Sequence, residues 1–258
     1  MSWEVYAIRY ADDPGRTSAR CFLDAFGGDA PMPTAYHAFL LRGPAGVVMV
    51  DTGADAAVLQ RLNKPVRGSI PTALAALGVA PEEVTEVVQT HLHWDHAGGT
   101  ALFPRARFHL QAREMAYVTG PAMRHAVLRA GYETTEIAAM LPLLHDGRLV
   151  LHDGDWTGPG GLSAFHLGGH TDGLQALALP TRRGRLCLAG DAVALHANLR
   201  RRVPFPALFH VGDALDAFDR VLAEAGGPEA VIPGHDVAVV DAHPPARHGT
   251  EGWIARLD

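Results

Sequence analysis

The sequence has few cysteines and no long apolar run. Its two cysteines, Cys21 and Cys187, lie far apart among 258 residues, which does not resemble the disulfide framework of a secreted protein. No segment approaches the roughly 20 apolar residues needed to cross a bilayer, and the N-terminus lacks the basic start and apolar core of a signal peptide. We therefore expect a cytoplasmic chain with reduced cysteines and no attachment to a membrane.

Positive charge is also scarce. Lys and Arg together number 22 against 28 Asp and Glu, and the formal net charge is −6. This balance gives no broad electrostatic footprint for nucleic acid or an anionic membrane surface, so we expect neither as a partner. With 48% hydrophobic residues, the chain can bury a large core, and a single domain over 1–258 is predicted. The sequence leaves open whether the chain is a monomer or a homodimer.

Histidine, by contrast, is concentrated in one stretch. Three imidazoles and one carboxylate occupy six consecutive positions, at His91, His93, Asp95 and His96. Imidazole and carboxylate bind zinc and similar divalent metals, and alternate histidines can converge on one ion only from extended or looped backbone. A short β-branched run at 86–90 should lead into this loop as a strand. The alternative is a group of solvated loop histidines.

Hydrophobic periodicity predicts an α/β fold. Residues 12–34 have no clear period and are predicted as a long loop, which either lines a pocket or only covers the surface. We expect a first strand within 1–10, a hairpin over 37–50 and a helix over 70–77. A helical insertion at about 111–144 is predicted as two or three helices that form a lid, an association surface or core cover.

The second half predicts further β structure. Strands are expected at 148–151, 162–167, 174–179 and 185–189, and they are followed by a helix near 211–225 and a final strand at 230–232. Strands followed by helices in each half indicate two sheets packed face to face with helices outside.

Three later residues have the same local context as the histidine loop. Each follows an apolar strand and a glycine, and they are His170, Asp191 and His235. Five histidines and two aspartates then make seven candidate ligands, enough for two ions that share one bridging carboxylate. Two-metal hydrolytic sites hold their ions roughly 3.5–4 Å apart, a distance that one carboxylate can span.

The order His-x-His-x-Asp-His, Gly-His, Asp and Gly-His resembles the metallo-β-lactamase superfamily. Asp51-Thr52-Gly53 matches the first motif of that superfamily, whose aspartate supports the site without binding metal. The length and the opening Tyr6 to Tyr10 are most similar to the N-acyl homoserine lactonase family. This resemblance implies a four-layer αββα sandwich.

The resemblance also implies a ligand assignment. One metal would be held by His91, His93 and His170, a second by Asp95, His96 and His235, and Asp191 would bridge them. Two Zn²⁺ ions per chain are expected, although a ligand set of nitrogen and oxygen atoms also accepts Fe, Mn or Co.

The activity implied by the resemblance is hydrolysis. Two cations that share one water can supply hydroxide at neutral pH. We therefore expect an enzyme that opens a lactone such as an N-acyl homoserine lactone. The biological role of such an enzyme would be quorum quenching. Asp95 either passes a proton to the leaving group or serves only as a ligand. The alternatives are hydrolysis of another ester, a thioester or an amide, and metal binding without turnover.

One position departs from the family pattern. Such lactonases often carry a tyrosine three residues after the bridging aspartate, where this chain has Ala194. The candidates for its role are His196, Tyr36 and His210. We predict two catalytic residues, Asp95 and His196. The apolar loop over 192–209 predicts a small-molecule substrate with an apolar arm.

Overall fold

Two β-sheets form the centre of the fold, which is described by a computed structural model for residues 2–258. The strands, in chain order, are β1 (Glu4–Asp13), β2 (Thr34–Gly43), β3 (Gly46–Val50), β4 (Val84–Val88), β5 (Arg107–Gln111), β6 (Leu149–His152), β7 (Trp156–Thr157), β8 (Ser163–His166), β9 (Gln175–Thr181), β10 (Gly184–Gly190), β11 (Val231–Pro233) and β12 (Ile254–Arg256). The larger sheet has the order β12-β1-β2-β3-β4-β5-β6 and the smaller sheet the order β11-β10-β9-β8-β7.

Helices cover the outer faces of both sheets. They are α1 (Ala56–Arg61), α2 (Ile70–Leu77), α3 (Trp94–Ala97), α4 (Ala112–Val118), α5 (Ala126–Arg129), α6 (Thr134–His145), α7 (His196–Arg201), α8 (Val211–Glu224) and α9 (Ala238–Asp241). The resulting order of layers is helix, sheet, sheet, helix, so the predicted four-layer αββα sandwich is confirmed.

The alternation of side chains along β1 separates two of the core layers. Because successive side chains of a strand point to opposite faces, Ile8 packs with α2 residues such as Leu74 on the outer side. Val5 and Ala7 pack between the two sheets. On the far side, Phe218 of α8 covers the smaller sheet.

Helix α2 follows its sequence signals closely. The Ser69 side chain caps the first turn by accepting a hydrogen bond from the amide of Thr72, and Gly78 ends the helix with a φ of 71°. Glycine adopts this left-handed conformation without the penalty that a Cβ would bring. The predicted helix over 70–77 is therefore confirmed, as is the hairpin, which consists of β2 and β3.

One expectation about strands was wrong. The strand predicted at 230–232 is not the last one, because β12 follows it and pairs with the free edge of β1. With three residues, β12 is too short to display a period. The strand predicted at 148–151 is present as β6, which joins the larger sheet and lies parallel to β5.

The predicted helical region contains α4, α5 and α6. Tyr117 and Val118 of α4, with Met140 and Leu143 of α6, are buried in the core beside the larger sheet. These two helices are therefore core cover, while α5 carries the exposed Val127.

The four loops that carry the histidine and aspartate motifs start at the carboxyl ends of strands. They follow β4 in the larger sheet and β8, β10 and β11 in the smaller one. Since β8 and β10 both run antiparallel to β9, and β11 runs parallel to β10, these three loops leave the smaller sheet at one edge. None of the helices formed by residues 2–258 is long and apolar enough to span a bilayer.

We predict that Phe218→Ala lowers the free energy of unfolding by about 3–5 kcal/mol, because it removes a fully buried ring between α8 and the smaller sheet. Leu215→Ala on the same helix is the matched control, since Leu215 is 38% exposed and its loss should cost no more than about 1 kcal/mol. Denaturant unfolding of both variants measures the difference. Equal losses would contradict this packing.

Candidate metal centre

The seven predicted ligands come together at the edge of the sandwich, between the two sheets. They form three overlapping groups whose ligand atoms lie within 4.8 Å of one another: His91, His93 and His170; His91, His96 and Asp191; Asp95, His96 and His235. The structure therefore brings together every residue that the sequence predicts as a ligand.

The first group consists of three imidazoles. His93 Nδ1 lies 3.0 Å from His91 Nε2 and 2.9 Å from His170 Nε2. All three nitrogens face one point, which is the arrangement that a shared cation requires.

The group of Asp95, His96 and His235, called the second group from here on, combines a carboxylate with two imidazoles. Asp95 Oδ2 lies 3.5 Å from His96 Nε2 and 3.6 Å from His235 Nε2. Asp95 and His96 face this second point because they lie on the short helix α3, which turns the chain immediately after His93.

Asp191 contacts both groups. Its Oδ2 lies 3.2 Å from His170 Nε2 and 3.1 Å from His235 Nε2, and its Oδ1 lies 3.3 Å from His96 Nε2. One carboxylate therefore spans the space between the two groups, where a bridging ligand would lie.

Two buried polar atoms of the site indicate that it suits metal ions. Within residues 2–258, His96 Nε2 and Asp191 Oδ1 are inaccessible to solvent and, although they lie 3.3 Å apart, form no hydrogen bond with each other or with another group. An unpaired buried polar group costs about 1–3 kcal/mol, and a cation between an imidazole and a carboxylate would remove this cost. The donor set and these unpaired atoms fit divalent metal ions.

The outer ring nitrogens of three histidines are held by fixed acceptors. His96 Nδ1 donates to Asp51 Oδ2 at 2.7 Å, His170 Nδ1 donates to the Ala207 carbonyl at 2.6 Å, and His235 Nδ1 donates to the Ala35 carbonyl at 2.9 Å. Each bond fixes a tautomer that leaves the Nε2 lone pair directed into the site.

Asp51 supports the histidine loop from the end of β3. Besides His96, its carboxylate accepts hydrogen bonds from the Thr90 amide at 2.7 Å and from the Thr90 hydroxyl at 2.8 Å. Its backbone has a φ of 61°, in the left-handed region. This geometry agrees with the supporting role that the motif implies.

Burial and charge bring several of these groups to the form that binds metal. Burial, reinforced by the neighbouring His170, lowers the pKa of His93 to about 3. For Asp95, burial acts in the opposite direction, but the His96 and His235 imidazoles outweigh it and lower its pKa to about 2. A neutral imidazole and an ionised carboxylate are the ligand forms that divalent metals require.

The buried carboxylates of the site also favour a nearby positive charge. Burial disfavours the protonated form of His96, but the carboxylates of Asp95, Asp191 and Asp51 outweigh it and raise the pKa of His96. A proton on His96 and a cation between these groups are alternative ways to balance the same buried carboxylates.

Glu114 is a supporting residue that the sequence analysis missed. Its buried carboxylate accepts hydrogen bonds from the Leu92 amide at 3.1 Å and the Thr171 hydroxyl at 2.7 Å, and so joins the loops of His91 and His170. It also accepts from the Tyr132 hydroxyl at 3.0 Å. Its helical spacing of three and four residues from Tyr117 and Val118 was the available signal, because it places a carboxylate on the apolar face of α4.

A second supporting contact comes from the segment between α5 and α6. The ring of Tyr132 lies 4.5 Å from the ring of His93, and the Gly131 carbonyl accepts a hydrogen bond from the Trp94 amide at 2.9 Å. A Cβ at Gly131 would lie only 2.6 Å from the His93 imidazole. Only glycine allows the backbone to approach this closely.

A cavity of about 410 Å³ opens onto the candidate ligands. Three segments supply its walls: the loop before β2, the region of α4 and α5, and the apolar loop after α7. The apolar wall residues are Tyr117, Val127, Leu128, Ala130, Phe205, Ala207 and Leu208. Part of the loop predicted over 12–34 therefore lines this cavity, as does part of the apolar loop over 192–209.

The three candidates for the role of the absent tyrosine lie in different places. Tyr36 lines the cavity, and its ring lies 5.4 Å from the ring of His235. His196 Nδ1 instead lies 2.9 Å from Asp236 Oδ2, and the His210 side chain accepts a hydrogen bond from the Asp213 amide at the start of α8. Neither His196 nor His210 is among the residues that line the cavity, so this placement favours Tyr36.

The comparison with protein families agrees with the geometry. The family model described as the metallo-beta-lactamase superfamily matches residues 32–235. The chain belongs to the metallo-beta-lactamase superfamily. The matched range contains all seven candidate ligands of this superfamily member.

Relatives within the superfamily are metal-dependent hydrolases. An N-acyl homoserine lactonase from Bacillus sp is 27% identical over 223 residues, which is 77% of this chain and 80% of the relative. The crystal structure of a quorum-quenching N-acyl homoserine lactone lactonase, 23% identical, matches with a TM-score of 0.74 over 97% of this chain and 98% of the other. A second lactonase structure, with the product N-hexanoyl-L-homoserine at its catalytic metal centre, is 22% identical with a TM-score of 0.73 over 92% and 95% of the two chains.

We predict that Glu114→Gln weakens metal binding by about 10–100-fold, as loss of a supporting carboxylate commonly does. The amide would turn an N–H group toward donors such as the Leu92 amide and the Thr171 hydroxyl, so both ligand loops would shift. Competition with a chromogenic chelator measures the affinity, and Glu82→Gln, at an exposed position, is the matched control. Unchanged affinity in a folded Glu114→Gln protein would contradict the role assigned to Glu114.

Proposed function

We propose that this chain is a dinuclear metal-dependent hydrolase that opens the ring of a lactone with an apolar arm. The observation that carries the proposal is the position of Asp191, whose two carboxylate oxygens contact imidazoles of both ligand groups. In this proposal His91, His93 and His170 hold one ion, Asp95, His96 and His235 hold the other, and Asp191 bridges them.

Zinc is the ion that we propose for both positions. Five imidazoles and two carboxylates suit Zn²⁺, although iron, manganese and cobalt accept the same donors. When bound, two such ions would supply an activated water and an electrophile for the substrate carbonyl.

The relatives favour a lactone over other esters. The curated Bacillus relative is named for N-acyl homoserine lactone hydrolysis, and a structural neighbour holds N-hexanoyl-L-homoserine at its metal centre. The apolar walls supplied by Val127, Leu128 and Leu208 provide a place for an acyl arm beside the candidate ligands. Quorum quenching is the biological role that such a substrate implies.

Tyr36 is the residue that we propose in place of the tyrosine absent at Ala194. Ala194 is buried among Cys21, Phe22 and Leu195 and does not line the cavity. Burial, with the nearby Asp95 carboxylate, raises the pKa of Tyr36 well above its ordinary value, so its hydroxyl stays protonated. A protonated hydroxyl in the cavity can donate a hydrogen bond to the oxyanion that forms from the substrate carbonyl.

Asp95 combines two positions. It belongs to the second ligand group, and it also lines the cavity. These two observations support our proposal that its carboxylate binds metal and also passes a proton to the departing alkoxide. The sequence prediction of a catalytic His196 has no comparable placement and is not part of this proposal.

We predict that His96→Ala and Asp191→Ala each abolish hydrolysis and reduce the bound metal below two ions per chain while the protein stays folded. Each substitution removes a ligand from a buried site and leaves the sheets intact. Metal analysis, circular dichroism and turnover are measured on the same preparations. Full turnover by a folded variant would remove that residue from the proposed site.

Tyr36→Phe should lower kcat by about 10²–10³-fold with a small change in KM, because it removes a donor to the transition state and keeps the ring. Tyr6→Phe is the matched control, since the Tyr6 hydroxyl contacts Glu4 and lies outside the cavity. Metal content must remain at the wild-type level in both variants. A kcat equal to that of wild type would leave the role of the absent tyrosine to another group.

The proposed activity is tested by measuring hydrolysis of lactones, p-nitrophenyl esters, thioesters and a β-lactam by the metal-loaded protein. Lactone-selective turnover, with two ions per chain, is the expected result. Preference for a thioester or another ester would support a hydrolase and contradict the proposed lactone substrate. Silence on every substrate with two ions bound would favour metal binding without turnover.

A further inference from the structure

We propose that Arg16 and Arg20 form an anion-recognising pair at the mouth of the cavity, which selects a substrate that carries a carboxylate as well as the scissile ester. The inference rests on the proposed lactone hydrolysis and narrows its substrate. An N-acyl homoserine lactone carries no carboxylate, so this chain would prefer a lactone that has one on its ring. Neither arginine belongs to the ligand set, and both lie in the segment between β1 and β2 that the sequence predicts as a loop.

Both arginines line the same cavity as the candidate ligands. The carboxylates in the lining are those of Asp95 and Asp191, and both of these face the metal positions. The remaining walls are mostly apolar. Among residues 2–258, the lining of the cavity therefore offers an entering anion two guanidinium groups and no carboxylate other than the candidate metal ligands.

The balance of charge at the mouth is positive. Asp13 Oδ2 contacts both the Arg16 guanidinium at 3.2 Å and Lys64 Nζ at 2.7 Å, so one carboxylate faces two cations. In the part of the chain that the structure describes, the Arg20 guanidinium has no carboxylate partner within 4.0 Å and is exposed. At least two positive charges are therefore left without a counter-ion from the protein.

The segment that carries the pair is held in place by its backbone. The Met32 amide donates to the Arg16 carbonyl at 2.9 Å, and the Ser18 amide donates to the Ala30 carbonyl at 2.9 Å. The Arg16 guanidinium lies 5.1 Å from the centre of the Phe205 ring on the opposite wall. Arg16 Nε and Nη2 each lie 3.2 Å from Asp13 Oδ2, and Arg16 Nη1 lies 3.4 Å from the Arg20 carbonyl oxygen, so one N–H of Nη1 and one of Nη2 remain for an anion. The Arg20 guanidinium makes no hydrogen bond within residues 2–258, and all of its N–H groups remain for the paired hydrogen bonds that suit a carboxylate.

The position of Phe205 limits how far the anion lies from the reacting carbonyl. The Arg16 guanidinium lies 5.1 Å from the centre of the Phe205 ring, and that centre lies 6.5 Å from the centre of the His235 ring. One aromatic side chain therefore separates Arg16 from a candidate ligand. The carboxylate we propose is therefore attached at or near the lactone ring, and the apolar walls remain available to the rest of the molecule.

Arg20 provides the sharper test because its side chain has no hydrogen bond or ion pair with any of residues 2–258 whose loss would disturb the fold. Two five-membered lactones serve as probes, one with a carboxylate on a ring carbon and one with a carboxamide on the same carbon. Wild type, Arg20→Gln, Arg20→Lys and Arg20→Glu are compared with Arg105→Gln, a control at an exposed arginine outside the cavity. The readout is the ratio of kcat/KM for the two lactones.

Wild type should prefer the carboxylate lactone by at least about tenfold, which is the worth of one charge-assisted hydrogen bond. The ratio should fall to near one in Arg20→Gln, mainly through KM, recover partly in Arg20→Lys and invert in Arg20→Glu. It should also fall as ionic strength rises, because charges at the mouth are screened. Arg105→Gln should keep the wild-type ratio.

Calorimetric binding of the two ring-opened hydroxy acids to metal-loaded protein gives the same comparison without turnover. A wild type that treats both lactones and both hydroxy acids alike, or an Arg20→Gln protein that keeps the preference, overturns the inference. Hydrolysis of neither lactone, combined with an Arg20-dependent preference in binding, would contradict the proposed lactonase activity and support the anion-recognising pair.

Discussion

The arrangement of this site depends on the buried carboxylate of Asp191. Its two oxygens contact imidazoles from three separate loops, at 3.1–3.3 Å. A buried carboxylate of this kind is stable only beside positive charge or strong hydrogen-bond donors. The loops of His96, His170 and His235 therefore satisfy one common electrostatic requirement, and the two sheets must meet at the edge where these loops leave their strands.

Two further carboxylates hold the imidazoles in place without facing the metal positions. Asp51 bonds both His96 and Thr90, and Glu114 joins the loops of His91 and His170. The cavity combines this rigid floor with walls of different chemistry, apolar on the side of α5 and positive at the mouth near Arg20. Such a cavity can orient a substrate that has distinct polar and apolar ends.

Many elements of the fold and all seven candidate ligands could be predicted from the sequence, because local sequence signals indicate them. The caps of α2, the hairpin of β2 and β3, and the glycine before His170 and His235 all lie close to the feature they predict. Other features depend on contacts between distant segments. The pairing of β12 with β1 and the direction of His196 toward Asp236 follow from tertiary packing, for which a single sequence offers no period or motif.

Glu114 also links the histidine loop to the segment between α5 and α6, where Ala130 and Gly131 line the cavity. Its carboxylate accepts hydrogen bonds from the Leu92 amide in the histidine loop and from the Tyr132 hydroxyl, and Tyr132 packs against His93. One buried carboxylate therefore holds both the backbone beside a candidate ligand and the chain that borders the substrate cavity. A displacement of either segment would leave that carboxylate with one donor fewer, which is costly for a buried charge.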